Sequence, residues 1–390
     1  MKNALLVLAA LNIAALFAAP PLVTIEKRGA ERTVVTLETT ASTPAGKAFN
    51  AALARNLALS GEFVLAPNGA VRITGTPGAD LKAEGKGKAL SSRAAFDGEK
   101  DARMAARRFA DAIVENFGGD GAKGFALNRL VFVNRLGSDN ADLYTCFADG
   151  FDLRCISREG HAAVGPRWAP NGTDIYYTGF FEGAPLVYRI DTLTGKRTKL
   201  APFKGLATGA AISPDGARAA IVLSFQGNPE LYIMDLAQKS VRRITRTKGA
   251  SEASPCWSPD GTRIAYVSDE TRQPQIYIHD VASGKSSRFT RTGTQNTNPA
   301  WSARGELAWA TKRGGLNYIA VADAATGEGA ARLVTDGGTW EHPAWMGDSR
   351  HLVASRDKAL FMVDASPDAD TKPVRVFHNE GNWITPDASR

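Results

Sequence analysis

Side chains of the kinds that catalyse reactions or bind metals are present in this 390-residue sequence, but their spacing fits no standard motif. There is no G-x-S-x-G nucleophile elbow, no H-E-x-x-H pair, no paired C-x-x-C and no P-loop. The five histidines show no metal-ligand spacing; they are His161, His279, His342, His351 and His378. We therefore predict no catalytic residue, no metal site and no bound cofactor.

One glycine-rich segment matches a nucleotide-binding fingerprint by its letters but not by its surroundings. Gly119, Gly121 and Gly124 fit the pattern G-x-G-x-x-G. The dinucleotide motif requires a strand before the glycines and a helix after them. Here an amphipathic helix pattern comes first and a strand pattern follows. We interpret residues 118–124 as a flexible linker.

The three cysteines are too few for a disulfide scaffold, and their odd number leaves at least one free thiol. Cys146 and Cys155 lie on the two arms of one predicted hairpin, as diagonal neighbours about 7–8 Å apart. A disulfide needs Cβ atoms about 3.8 Å apart. We expect no bridge between them.

The elements that must position any functional residue form a repeat. Five positions recur at intervals of 44 or 45 residues: Trp168, Ile212, Trp257, Trp301 and Trp345. An apolar triplet ending in aspartate recurs in phase, at Asp191, Asp235, Asp280, Asp323 and Asp364. Each unit contains four short strand patterns separated by turn residues, which is typical of a propeller blade. We interpret Trp257 as a core residue, and Asp260 and Asp280 as turn residues that satisfy backbone groups.

The two ends of the repeat region complement each other. Residues 129–157 contain a second, third and fourth strand pattern without a first, and residues 381–390 contain a first strand alone, with 384–387 aligned on 257–260. Joining the two ends removes the open edge strands of a ring. The sequence therefore predicts a small N-terminal α/β domain followed by a six-bladed β-propeller closed by N- and C-terminal strands.

The region before the ring divides into a secretion signal and the small domain. Lys2 and the apolar run 4–17, followed by small residues, predict a signal peptide over 1–19. Cleavage after Ala18, cleavage after Ala19 and an uncleaved anchor remain alternatives. Residues 21–117 form the predicted N-terminal α/β domain, 118–124 the linker and 125–390 the propeller. Strands are predicted at 22–26 and 32–38, and helices at 44–61 and 101–119.

The net charge of +7 comes from scattered basic residues, so we predict no nucleic-acid partner.

Two segments before and at the start of the ring carry a family resemblance. Residues 52–65, ALARNLALSGEFVL, contain the pattern Leu-x-x-Ser-Gly-x-Phe, and residues 109–133, FADAIVENFGGDGAKGFALNRLVFV, run from a helix through a glycine-containing linker into the first propeller strand. These segments resemble the TolB family, the periplasmic propellers of the Tol-Pal system, with its helix-to-strand segment and its Ala-Asp-x-Ile-Tyr-Glu helix. The first domain is shorter than is usual in that family, and the fourth and fifth units lack Pro-Asp-Gly.

The resemblance implies a non-enzymatic periplasmic adaptor for outer-membrane integrity and constriction at cell division. It implies a Pal-like peptidoglycan-associated lipoprotein bound over one mouth of the propeller channel. It also implies a TolA-like inner-membrane-anchored protein bound by the N-terminus, for which the candidate residues are Leu22, Val23, Thr24 and Ile25.

The candidate lipoprotein site consists of the loops that lead into the innermost strands. Gly209 and Ala253 fall where the family's partner-contacting loops lie; the other positions follow from ring geometry. The full set is Gly165, Ala207, Thr208, Gly209, Glu252, Ala253, Ser254, Thr297, Asn298, Trp340, Glu341, His342, Asn382 and Trp383. Trp340 and Trp383 are candidate anchors, with core packing as the alternative for Trp383.

Two other function classes remain open. A secreted propeller enzyme could gather its active site from separate blades, and a ligand-binding propeller could use its central channel. A channel cation is conceivable because Glu252 and Glu341 lie at the mouth, although two acidic residues on different blades favour it only weakly.

Overall fold

The computed structural model describes residues 32–137, 140–158, 160–181, 183–200, 206–224, 227–367, 369 and 372–389. The predicted signal peptide at 1–19, the predicted strand at 22–26 and the candidate contact residues Leu22, Val23, Thr24 and Ile25 lie outside these residues.

The N-terminal α/β domain packs two helices against a five-stranded sheet of order β2-β1-β3-β4-β5. Its elements are β1 Thr33–Thr39, α1 Pro44–Leu59, β2 Phe63–Leu65, β3 Val71–Thr76, β4 Asp80–Gly85, β5 Lys88–Ser92 and α2 Glu99–Phe117. Helix α1 begins where the Thr43 side chain accepts a hydrogen bond from the Gly46 N–H, with Pro44 in the first turn. The predictions of β1 and both helices are confirmed within three residues at each end.

The hairpin of β4 and β5 was not predicted, because its sequence is rich in lysine. Leu81 and Ala83 alternate inward in β4 while the residues between them face solvent. That alternation is the signature of a half-buried strand.

The propeller consists, within the described residues, of six four-stranded antiparallel sheets, which we number as blades 1 to 6. Blade 1 contains β9 Ala163–Trp168, β10 Asp174–Gly179, β11 Leu186–Asp191 and β12 Arg197–Lys199; blade 2 contains β13 Ala207–Ile212, β14 Arg218–Leu223, β15 Glu230–Asp235 and β16 Val241–Arg243. Blade 3 contains β17 Glu252–Trp257, β18 Arg263–Ser268, β19 Gln275–Asp280 and β20 Ser286–Arg288; blade 4 contains β21 Gln295–Trp301, β22 Glu306–Arg313, β23 Leu316–Asp323 and β24 Arg332–Leu333. Blade 5 contains β25 Glu341–Trp345, β26 His351–Arg356, β27 Ala359–Asp364 and β28 Val374–Arg375; blade 6 contains β29 Trp383–Ala388, β6 Arg129–Arg135, β7 Ala141–Phe147 and β8 Arg154–Cys155. A short 3-10 helix, Glu328–Ala330, precedes β24.

Blade 6 closes the ring as predicted, since the C-terminal β29 pairs antiparallel with β6. The predicted alignment inside β29 is wrong by four residues. Ala388, rather than Ile384, occupies the place of Trp257, because Ala388 pairs with Leu130 as Trp257 pairs with Ile264. The error arose because blade 3 contains Ser-Pro twice, at 254–255 and at 258–259. The Thr-Pro pair at 385–386 was aligned on the second of these, whereas the strand register places it on the first.

The turn and cysteine predictions are borne out. The Asp260 carboxylate accepts from the Thr262 N–H at 3.0 Å, and the Asp280 carboxylate accepts from the Ser283 N–H at 2.7 Å. All three cysteines are free thiols. Cys155 pairs with Tyr144, which places it diagonal to Cys146.

The N-terminal domain contacts the face of the propeller where the innermost strands end. Leu59 of α1 and Phe125 join the hydrophobic core of the closing blade. Hydrogen bonds hold the chain near both ends of the segment predicted to be a flexible linker, residues 118–124. Gly119 N–H donates to the Glu62 carboxylate at 2.9 Å, and Ala126 N–H donates to the Asp111 carboxylate at 2.8 Å. The opposite face, where the innermost strands begin, carries the candidate site.

Candidate functional site

Each innermost strand contains a β-bulge, and together the six bulges form a ring around the central channel. The register of β9, β13, β17, β21, β25 and β29 shifts at the bulge. One residue of each bulge has a positive φ of 50–58°: Gly165, Gly209, Ser254, Asn298, His342 and Thr385. A proline follows five of these six residues. Since proline has no N–H, the gap in the ladder leaves no donor unpaired there.

The ring of bulges surrounds a cavity of about 300 Å³ at the channel mouth. Seven of the fourteen candidate residues line this cavity: Gly165, Thr208, Gly209, Ala253, Ser254, Asn298 and His342. The structure therefore brings half of the predicted set together from blades 1 to 5. Blade 6 contributes Thr385 and Pro386, which the sequence analysis did not select because of the four-residue alignment error.

Trp340 and Trp383 do not face the mouth. This corrects the expected anchor role of Trp340, whereas for Trp383 it agrees with the core-packing alternative. The Trp340 side chain is fully buried and donates its Nε1–H to Asp336 at 3.3 Å. Trp383 packs edge-on against Phe132 and Phe377 at ring-centroid distances of 5.5 and 5.2 Å. Both indoles lie between neighbouring blades: Trp340 packs in a core shared by blades 4 and 5, and Trp383 in one shared by blades 5 and 6.

Four other candidate residues lie outside the cavity lining. Ala207 is buried beside blade 1, where its N–H donates to the Pro185 carbonyl. Glu341 is exposed at the start of β25. Thr297, the third residue of β21, and Asn382, just before β29, are half-buried. These three residues lie on the rim around the mouth.

Glu252 is also absent from the cavity lining, because its side chain is buried between blades 2 and 3, beside Glu230. Its carboxyl accepts from Thr247 Oγ1 at 2.9 Å and from Ser268 Oγ at 3.1 Å. Burial, together with the neighbouring Glu230 carboxylate, raises the pKa of Glu252 to about 7. The described residues contain no group of three or more His, Cys, Asp or Glu side chains placed to hold a metal ion.

Two charged residues in the channel were missed by the sequence analysis. Arg167 donates from Nη1 to Asp387 Oδ1 at 3.1 Å, and the Trp168 N–H donates to Asp387 Oδ2 at 2.7 Å. The equivalent position of the other four blades holds a small side chain, at Ala211, Cys256, Ala300 and Ala344. The sequence did contain a sign of this position: when the repeats are aligned, Arg167 is a charged residue where four other blades have a small one. Asp387 was hidden by the alignment error.

His342 faces the same part of the channel. Its burial, and secondarily the positive charge of Arg167, lower the pKa of the imidazole to about 4. The ring is therefore neutral near pH 7. Its Nδ1 is buried and has no hydrogen-bond partner, and the nearest carboxylate oxygen, Glu341 Oε2, is 3.8 Å away.

Beyond this level the channel opens into a second cavity of about 290 Å³, which tryptophans from blades 1, 3, 4 and 5 surround. Trp257 is buried and donates its Nε1–H to the Ala211 carbonyl at 3.0 Å. Trp345 makes the same contact with Ala300 of the preceding blade. The prediction that Trp257 is a core residue is confirmed, since its indole is buried and hydrogen-bonds to the preceding blade.

These features define the chain as a six-bladed β-propeller that bears a small α/β domain on one face and an open channel mouth on the other. Neither helix of the described part is long and apolar enough to span a membrane. A family profile described as the TolB beta propeller domain matches residues 120–386. The chain belongs to this TolB β-propeller family.

Two curated relatives share part of the chain. The Tol-Pal system protein TolB of Desulfosudis oleivorans is 32% identical over 149 residues, which is 38% of this chain and 33% of the relative. The Tol-Pal system protein TolB of Francisella tularensis subsp. holarctica is 32% identical over 133 residues, or 32% of this chain and 31% of the relative. These matches span about a third of the length of either relative.

The whole fold has a counterpart among solved structures. The crystal structure of TolB from Acinetobacter baumannii superposes with a TM-score of 0.80 and covers 94% of this chain and 98% of that one. The two sequences are 21% identical, so this likeness shows the fold alone.

Proposed function

We propose that this protein is a non-enzymatic periplasmic adaptor of a Tol-Pal-like complex. Its channel mouth binds a Pal-like peptidoglycan-associated lipoprotein, and its N-terminus, including Leu22, Val23, Thr24 and Ile25, binds a TolA-like inner-membrane-anchored protein. The complex supports outer-membrane integrity and constriction at cell division. The division into residues 21–117, 118–124 and 125–390 is part of this proposal.

One observation carries the proposal more than any other. The residues that the family resemblance placed in partner-contacting loops, Gly209 and Ala253, line one cavity on the face away from the N-terminal domain. Rigid strands hold the mouth, and binding residues commonly lie on loops positioned by such a scaffold. Small side chains at the mouth leave backbone groups accessible to a docked partner.

The ionisable groups of the channel favour binding over catalysis. Arg167 and Asp387 bond to each other, and Asp387 is also held by a backbone N–H. A nucleophilic mechanism needs a base within hydrogen-bond reach of a nucleophile. His342 has no such neighbour among the hydrogen bonds of the described residues, since its Nδ1 is unpartnered.

The proposal is tested by capture from gently cross-linked cell envelope with the C-terminally tagged protein. Ala253→Trp fills the mouth from an exposed position, and Leu193→Trp is the matched control because Leu193 is 75% exposed on the turn between β11 and β12, on the other face. We expect the wild-type protein and Leu193→Trp to enrich a Pal-like lipoprotein, and Ala253→Trp to lose it. Equal capture by all three proteins would place the partner elsewhere, and no enrichment by the wild type would overturn the adaptor function.

A further inference from the structure

The ionisable side chains of the channel lie on three consecutive blades. Around the ring, blades 5, 6 and 1 contribute His342, Asp387 and Arg167, and Thr385 of blade 6 adds a hydroxyl at the mouth. Blades 2, 3 and 4 line the mouth with uncharged side chains, including Gly209, Ser254 and Asn298. A propeller of near-identical repeats would present the same chemistry on every blade, so this one-sided distribution calls for an explanation.

Blades 5, 6 and 1 carry hydrogen-bonding groups that are not used within the protein. Each oxygen of Asp387 accepts one hydrogen bond, one from Arg167 and the other from the Trp168 N–H. Arg167 uses one N–H in that contact, whereas a guanidinium carries five. Thr385 Oγ1 and His342 Nδ1 are buried and have no hydrogen-bond partner. Buried polar atoms without partners are rare in proteins and require an explanation.

We propose that the channel mouth is a carboxylate-binding site, in which Arg167, Thr385 and His342 hold the carboxylate. The guanidinium supplies the positive charge and a charge-assisted hydrogen bond. The threonine hydroxyl and the imidazole then gain the partner that they lack. A cavity of about 300 Å³ has room for an aspartate or glutamate side chain or a small organic acid.

Other ligand classes fit the same groups less well. A cation would be repelled by Arg167, and the negative charge of Asp387 is already paired with that guanidinium. An apolar group would leave Thr385 and His342 buried without partners. A phosphate would bring up to two negative charges to a single guanidinium, whereas a carboxylate brings one.

This inference refines the proposed function and rests on it only for the source of the carboxylate. If a partner protein docks at the mouth, an acidic side chain of that partner enters the channel. If none does, a free organic acid is the ligand.

The test uses a matched pair of probes, N-acetylglutamate amide and N-acetylglutamine amide, which differ only in the side-chain acid. Binding to the full protein is followed at pH 7 through the imidazole NMR signals, which are assigned by comparison with His342→Asn. That variant copies Asn298 at the equivalent bulge, where asparagine accepts the positive φ. We expect a saturable shift of the His342 signal with the acid and none with the amide.

A second variant removes the charges without leaving one unpaired. Arg167→Ala/Asp387→Ala copies the alanines found at this position in blades 2, 4 and 5, and a melting curve confirms that the fold is kept. We expect it to weaken binding of the acid probe at least tenfold. The inference is overturned by any of three results. The wild type does not bind the acid probe, it binds the acid and amide probes equally, or it binds the acid probe no more tightly than the double variant does.

Capture from cell envelope with the same double variant separates the two sources. Loss of a lipoprotein captured by the wild type assigns the carboxylate to that partner, and unchanged capture assigns it to a free acid. If the wild type captures nothing but binds the acid probe, the adaptor function fails while the carboxylate site stands. If capture succeeds but the acid probe does not bind, the carboxylate site fails alone.

Discussion

Arg107 and Asp149 form a bidentate ion pair across the two domains, with Nε donating to Oδ2 at 2.8 Å and Nη2 to Oδ1 at 3.0 Å. Both side chains are inaccessible to solvent. Arg107 projects from α2, and Asp149 lies in the turn between β7 and β8 of the closing blade. Arg107 also bonds Asp152 in the same turn at 2.9 Å. The pair therefore fixes the N-terminal domain to the blade that closes the ring.

We expect Arg107→Met to lower the free energy of unfolding by about 3–5 kcal/mol, because it leaves the Asp149 charge buried without its main partner. Urea denaturation measures the change. Arg72→Ala is the control, since Arg72 pairs with Glu38 on the exposed sheet surface. Exposed pairs contribute about 0–1 kcal/mol. Equal losses in the two variants would show that the buried pair does not stabilise the domain contact.

The buried carboxyl of Glu252 makes stability depend on pH. Its pKa is raised to about 7 in the folded protein, so the folded state binds a proton more tightly than the unfolded state does. This stabilisation is fully present below the unfolded pKa of about 4.3 and is lost as the pH rises through about 7.

The comparison with Glu252→Gln isolates this effect, because glutamine keeps the shape and does not titrate. Urea unfolding is measured at pH 5, 6, 7 and 8. From pH 5 to 8 we expect the wild type to lose roughly 1–3 kcal/mol relative to the variant, since each pKa unit corresponds to about 1.4 kcal/mol. Parallel curves for the two proteins would contradict the raised pKa of Glu252 in the folded protein.

Trp340 is predicted to act through packing. Trp340→Ala removes a fully buried indole that contacts Phe361 edge-on at 5.5 Å between ring centroids. Such truncations cost about 3–5 kcal/mol. Guanidinium denaturation should show this loss, with a smaller one for Trp340→Phe. A stable Trp340→Ala protein that fails only in partner capture would instead restore the indole as an anchor.

The C-terminal strand is predicted to be essential for ring closure. Truncation after residue 380 removes β29 and exposes the edge of β6, which otherwise pairs with β29 from Leu130 to Asn134. An open edge strand promotes aggregation. Size-exclusion chromatography should show aggregated protein, and truncation after Ser389 is the control that keeps the strand. A monomeric, cooperatively folded truncation product would argue against closure by this strand.

Much of this architecture could be read from the sequence, because a blade is a local unit. Its strands are joined by short turns, so apolar runs and turn residues recur at a fixed interval, as Trp257 and Trp301 show. Helices α1 and α2 were predictable for the same reason, since their apolar faces and end signals lie within one segment. The β4–β5 hairpin was missed because a charged outer face obscured the inward alternation of Leu81 and Ala83.

The sequence by itself determined the repeat, the six blades and their closure, because these depend on patterns within a few dozen residues. The tertiary structure alone decided which side chains meet across blades. Arg167 and Asp387 are 220 residues apart and become partners only because the ring closes between blades 1 and 6. The tertiary structure also decided which of the predicted mouth residues are buried. The repeat places Trp340 and Glu252 in loops at the mouth, yet both side chains point between sheets. The pleat of each strand and the twist of each blade set the direction of a side chain.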